Sequence, residues 1–120
     1  MQGGITQGAG HIFHEQAVYD ASGQLLTGSF MDYAMPRPGL VGGLRLSDHP
    51  VPTATNPLGA KGVGEAGVTG SMPCLMNAVM DALRQAGVTH FDMPASQERV
   101  WRAIREAKAG RPAALAVSQK

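Results

Sequence analysis

The residues with the most chemistry lie between Asn56 and Gly70, a stretch that reads NPLGAKGVGEAGVTG. It holds Gly59, Gly62, Gly64, Gly67 and Gly70, one lysine (Lys61) and one carboxylate (Glu65). Glycines let a backbone approach a ligand closely. A helix starting just downstream presents unpaired N–H groups and a partial positive charge. Such a loop suits an anion such as a phosphate. Glu65 is the odd residue: an acid in a loop made for anions is either solvated or capping, or it is a group placed for proton transfer.

The other candidates are weaker. Gln7 sits among small residues in MQGGITQGAG, where its amide can reach a ligand or simply face water. His11 and His14 are three apart with Glu15 next. That spacing can put two imidazoles on one helix face. No second pair of ligands follows at a convincing spacing, so packing or surface roles outrank a metal. Cys74 is the only cysteine. It is expected to be a small buried hydrophobe, and it excludes an internal disulfide. This suits a reducing, cytoplasmic setting.

Stepping outward, 120 residues suffice for one small domain. Hydrophobic residues are 43% but aromatic ones only 5%, with 16 Gly and 8 Pro, so the core must be thin and interrupted by loops. Ordering that much glycine costs conformational entropy, which points to a part of a larger assembly. A net charge of +1 is too small for a nucleic-acid footprint. The basic residues Arg99, Arg102, Arg105 and Lys108 alternate with Glu98 and Glu106 as a solvated helix face does. No apolar run is long enough to span a membrane, and no leader pattern is visible.

In chain order, Ile5, Ala9, Ile12 and Phe13 predict a helix over about 4–14 despite the glycines. QAVYD (16–20) and QLLTG (24–28) around Ala21-Ser22-Gly23 predict a β-hairpin. Ser29 to Ala34 reads as a turn, 44–47 as a short strand, and the proline-rich 48–57 as an extended loop. Ser71 as N-cap, Pro73 in the first turn and Gly87 as the stop predict a well-buried helix carrying Leu75, Met76, Val79, Met80 and Leu83. Val88 to Asp92 reads as a strand. A last helix over about 97–109 turns Val100, Trp101, Ile104 and Ala107 inward, and 113–120 is expected to be a frayed tail. The expected fold is one α+β domain over 1–120, a β-hairpin and short strands packed with two or three helices.

GVGEAG at 62–67 matches G-x-G-x-x-G, and Asp92 follows at a suggestive distance. A dinucleotide fold fails on context: Pro57 and Gly59 occupy the place where a central strand must precede the motif. G-x-x-x-x-G-K-S/T is absent as well, because Lys61 is followed by glycine.

NPLGAKGVGEAG followed by a long Ala-rich helix resembles the C-terminal part of the molybdopterin-binding large subunit of the xanthine dehydrogenase, aldehyde oxidase and carbon monoxide dehydrogenase family. GGITQGAG, VYDASGQLLTGSFMDYAMPR and THFDMPASQERVWRAI extend the resemblance over most of the chain. It implies an oxidoreductase fragment using molybdenum–molybdopterin for hydroxylation with oxygen from water. By the same resemblance, Glu65 is the general base, and Gln7, Gly8, Lys61, Gly62, Val63 and Gly64 contact the cofactor. Large subunits of this family are several times longer than this chain. Most cofactor contacts and the substrate pocket would therefore lie elsewhere. One cysteine cannot hold an iron–sulfur cluster. The implied partners are the remainder of the large subunit plus iron–sulfur and flavin subunits, without which the chain is inactive. The rival expectations are a non-catalytic, self-associating remnant domain forming a homo-oligomer and, more weakly, a small-anion binder.

Overall fold

Three helices carry the structure: α1 (Gln2–Phe13), α2 (Ala66–Gln85) and α3 (Gln97–Lys108). The computed structural model describes residues 1–39 and 41–110. The tail expected at 113–120 lies outside the described residues.

The first helix forms despite its glycines because α2 packs on it. A Cβ at Gly4 would lie 3.1 Å from the Gly67 Cα, and one at Gly67 would lie 2.7 Å from the Met1 carbonyl oxygen. One turn further on, a Cβ at Gly8 would meet the Ser71 Oγ at 2.0 Å. Two small residues four apart on each helix, Gly4/Gly8 and Gly67/Ser71, therefore let the backbones nearly touch. Dispersion between the close backbones compensates the poor helix propensity of glycine.

The same contact moves the start of α2. Ser71 was the expected N-cap, but the helix begins at Ala66 with Glu65 at the cap position. The Ser71 hydroxyl instead donates to the Val68 carbonyl at 3.2 Å from inside the helix. Pro73 thus lies inside α2 and not in its first turn. Its missing N–H leaves the Thr69 carbonyl without an intrahelical donor. Gly87, at φ 85°, ends the helix as expected, its N–H donating to the Arg84 carbonyl.

The second packing unit joins α2 to α3. Leu83, Val88 and Ala103 are buried together, with Val79, Phe91, Val100, Ile104 and Ala107 against them. Burying Leu83 and Val88 contributes roughly 1.5–3 kcal/mol each. Positions 100, 103, 104 and 107 form the i, i+3, i+4, i+7 stripe of α3. Trp101 is one position off that stripe. It is 56% exposed rather than inward, with the Arg105 guanidinium 4.8 Å above its ring. A connector ties the two units: the Ala95 N–H donates to the Ile12 carbonyl at 2.6 Å, and Arg99 Nη1 to the Pro94 carbonyl at 2.9 Å.

The α+β expectation is wrong, since the described residues form three helices and no strand or sheet. The turn at 20–24 does close, with one isolated antiparallel bridge between Tyr19 and Leu25. The Asp20 carboxylate accepts from the Ser22 and Gln24 N–H groups and from the Ser22 hydroxyl. No ladder grows from it, because a lone two-stranded ribbon without a third strand or a covering face gains too little. Segments 44–47 and 88–92 likewise find no pairing partner among the described residues. Val88 is held by side-chain burial against Leu83 and Ala103 instead. The expectation that α2 is well buried also fails: its buried residues are Gly67, Ser71 and Leu83, while Ala78, Ala82 and Cys74 are exposed. Two narrow contacts, at its two ends, cover little of a 20-residue helix.

Candidate functional site

The glycine loop is held from its upstream end by Asn56. Its Oδ1 accepts from the N–H groups of Leu58 and Ala60, both at 3.1 Å, while its Nδ2 donates to the Ala60 carbonyl at 2.9 Å. The Gly59 N–H donates to the Asn56 carbonyl, and the Gly59 carbonyl accepts from the Thr53 N–H at 3.0 Å. Gly59 takes φ 62°, the left-handed region that favours glycine. Its Cα side faces Pro52, whose Cβ would lie 3.0 Å from an added methyl. One asparagine side chain thus closes NPLGA into a knot from which Lys61 emerges. Asn56 was not singled out from the sequence. The signal that would have found it is the Asn-Pro pair opening a glycine turn.

Beyond the knot the chain is open. Lys61, Gly62, Val63, Gly64 and Glu65 are all exposed. A Cβ at Gly62 or Gly64 would meet nothing within 4 Å. Among the described residues, none of the backbone N–H groups from Lys61 to Glu65 donates to another protein group. The Val63 carbonyl accepts from the Ala66 N–H at 3.2 Å, turning the chain into α2. Glu65 then stands at the helix N-terminus, its carbonyl accepting from the Thr69 N–H and its carboxylate making no capping bond.

The glutamine–glycine segment is brought to this loop by the α1–α2 crossing. Gly8 is buried against Ser71, and Gly4 lies on Gly67, two residues after Glu65. Gln7 is exposed between them in sequence. Residues 58 positions or more apart in the chain therefore share one end of the molecule. The helix crossing, not the loop itself, fixes their relation.

The histidine pair does not converge. His11 Nε2 lies 3.6 Å from Glu15 Oε2, and the His14 ring packs edge-on against Phe13. Glu15 is the more constrained group: its carboxylate accepts from the Tyr33 hydroxyl at 2.6 Å. That bond and the negative charge of Glu15 push the Tyr33 phenol above its usual range. Cys74 is exposed and unpaired by any disulfide. No helix among the described residues is long and apolar enough to cross a membrane.

A family model described as a molybdopterin cofactor-binding domain matches residues 1–41. The carbon monoxide dehydrogenase large chain of Hydrogenophaga pseudoflava is 40% identical over 107 residues, covering 88% of this chain and 13% of that one. The nicotine 6-hydroxylase large subunit of Paenarthrobacter nicotinovorans is 35% identical over 105 residues, with the same coverage of 88% and 13%. Quinoline 2-oxidoreductase from Pseudomonas putida 86 superposes with a TM-score of 0.81 at 35% identity, over 88% of this chain and 13% of that structure's chain. The chain thus spans about an eighth of the length of the relatives it matches.

Proposed function

Because this chain belongs to the molybdenum hydroxylase large-subunit family, we propose that it forms the C-terminal portion of such a subunit. In this reading it contributes pterin contacts and the active-site glutamate, and it works only with the remainder of the subunit and the electron-transfer partners. The observation that carries this reading is the open run of unbonded N–H groups from Lys61 to Gly64, with the uncommitted carboxylate of Glu65 directly after it.

The residues fit the group. The N–H groups of Lys61, Gly62, Val63 and Gly64 and the Lys61 ammonium are donors suited to the oxygen atoms and phosphate of a molybdopterin. The missing side chains at Gly62 and Gly64 leave room for it to approach the backbone. The Gln7 amide supplies a further donor and acceptor, and Gly8 brings that segment against α2. When bound, the molybdenum–molybdopterin supplies the redox centre for hydroxylation. Glu65 accepts a proton at its carboxylate as the general base. General-base catalysis of this kind contributes about 10²–10⁴-fold.

The test is purification from the native host with companion chains, followed by molybdenum and pterin analysis and assay of a Glu65→Gln variant in the same complex. The expected result is stoichiometric molybdenum in both proteins and a loss of hydroxylation of roughly 100-fold or more in the variant. Undiminished activity would remove Glu65 from its role. A metal-free homo-oligomer with no companion would favour the rival reading, a self-associating remnant domain.

A further inference from the structure

The two ends of α1 serve different neighbours. Gly4 and Gly8 meet α2 near the glycine loop, whereas His14 follows the last turn, about 9 Å beyond Gly8 along a helix rising 1.5 Å per residue. At that far end lies a cleft of about 590 Å³, lined by His14, Phe30, Met31, Tyr33, Met35 and Arg37 among others.

Its wall is braced from behind. The Glu15 side chain, only 9% exposed, accepts from the Tyr33 hydroxyl and faces His11. Glu15 and Pro36 together fill the space beside Gly10, where an added Cβ would lie 2.2 Å from the Glu15 Oε1 and 2.4 Å from the Pro36 Cγ. Within the segment, the Ser29 hydroxyl donates to Asp32 and accepts from the Met31 N–H, and the Ser29 carbonyl accepts from the Tyr33 N–H. A turn with this many internal bonds is held in shape before anything binds. Yet it offers apolar side chains to solvent: Phe30 is 74% exposed and Met31 90%. A preorganised surface of this kind, with a flexible thioether at its most exposed point, is what a docking site requires.

We propose that this cleft receives an apolar segment of the remainder of the large subunit, with a carboxylate beside it that pairs with Arg37. The proposal rests on the large-subunit reading. Three observations select this occupant. The chain amounts to 13% of the relatives' length, so in those proteins the same fold is one part of a much longer chain. The Cα radius of gyration is 18.3 Å, against about 14 Å for a self-contained chain of this length, and the large apolar side chains Phe30, Met31 and Met35 stand exposed. Finally, Arg37 is the one Lys or Arg side chain in the cleft lining, no Asp or Glu lines it, and Arg37 makes no ion pair among the described residues.

The test places a photo-crosslinking amino acid at Met31 of the full chain in its native host and identifies the crosslinked peptide. The expected partner is a chain of the large-subunit family, captured through a segment with apolar residues and an adjacent Asp or Glu. In parallel, Met31→Glu is expected to cut recovery of that complex at least tenfold, because it sets a charge in the buried contact. Gln85→Glu, at an exposed polar position, is expected to leave recovery unchanged. Met31 is so exposed that the folded chain tolerates the variant, which circular dichroism checks. A crosslink to a second copy, a crosslink to an unrelated protein, or no crosslink overturns the proposal. Molybdenum content separates the two readings. A Met31 crosslink to the large subunit without molybdenum sinks the cofactor role alone. Full molybdenum and full recovery with Met31→Glu sink the docking site alone.

Discussion

Glycine does opposite things on the two sides of Glu65. At Gly62 and Gly64 an added methyl would meet only open space, whereas at Gly67 it would run into the backbone of α1. The first pair keeps a surface clear; the second position lets two helices come together. The same residue type in one short run thus leaves open space at Gly62 and Gly64 and admits a second helix at Gly67. The letters alone do not distinguish them. What does is the partner stretch sixty residues earlier, where Gly4 and Gly8 repeat the four-residue spacing of Gly67 and Ser71.

The sharpest way to break this contrast is to add methyl groups one at a time. Replacing helical Gly by Ala in a free position stabilises by about 1 kcal/mol through propensity. Overpacking a tight contact costs about 1–3 kcal/mol. Gly8→Ala is therefore expected to lose on balance, by up to about 2 kcal/mol, since its methyl group collides with Ser71. Ser71→Ala in the Gly8→Ala background should recover part of the loss, a coupling that a double-mutant cycle of thermal melts would read. Gly70→Ala, in the same α2 but with nothing within 4 Å, should instead gain about 1 kcal/mol. If both single variants shift in the same direction, the distinction between packed and open glycines is wrong.

A smaller effect is expected upstream, where one side chain shapes the open half. Asn56→Ala removes both side-chain acceptor bonds and the bond to the Ala60 carbonyl. At a half-exposed position this should cost about 1 kcal/mol, while hydrogen exchange at Leu58 and Ala60 accelerates. Exchange at Thr69, inside α2, should not change.

The smallest effect lies at the far end of α1. The Tyr33 phenol is raised above its ordinary value near 10.0, chiefly by its hydrogen bond to Glu15. Because the folded pKa exceeds the unfolded one, this bond stabilises the fold fully below that ordinary value and is lost as pH rises through the folded pKa. An absorbance titration should show one tyrosine ionising late in the natural protein and losing that delay in Glu15→Gln. The opposite sign applies at the turn. Asp20 is lowered below 3.8, first by the Ser22 hydroxyl, so its contribution is present above that value and is lost as pH falls through the folded pKa. Ser22→Ala should bring the Asp20 titration back toward 3.8.

Much of the local structure was legible because it depends on neighbours in sequence. The helical stripes of α1 and α3, the Gly87 stop and the Asp20 turn all follow from residues within a few positions of one another. The strands were not legible, because a strand is defined by its partner. Alternating residues at 16–28 and 88–92 satisfy the pattern without anything to pair with, and only an isolated bridge forms. The start of α2 was misplaced for a related reason. Ser71 has the chemistry of an N-cap, but packing of Gly67 on Gly4 makes the preceding residues helical as well. Trp101 was counted with Val100, Ile104 and Ala107 on the inward face of the last helix, though the stripe of Val100, Ala103, Ile104 and Ala107 leaves it outside.

For the candidate site, the sequence by itself determined the residue types: a clear glycine run, a lysine and a carboxylate next to a helix start. It also determined the family, because several motifs recur together over most of the chain. Only the tertiary structure decided that the glutamine–glycine segment lies against the start of α2. The physical reason is that this relation is set by a steric fit between two helix surfaces nearly sixty residues apart, and such a fit depends on how closely two backbones approach. No property of either stretch taken alone encodes that distance.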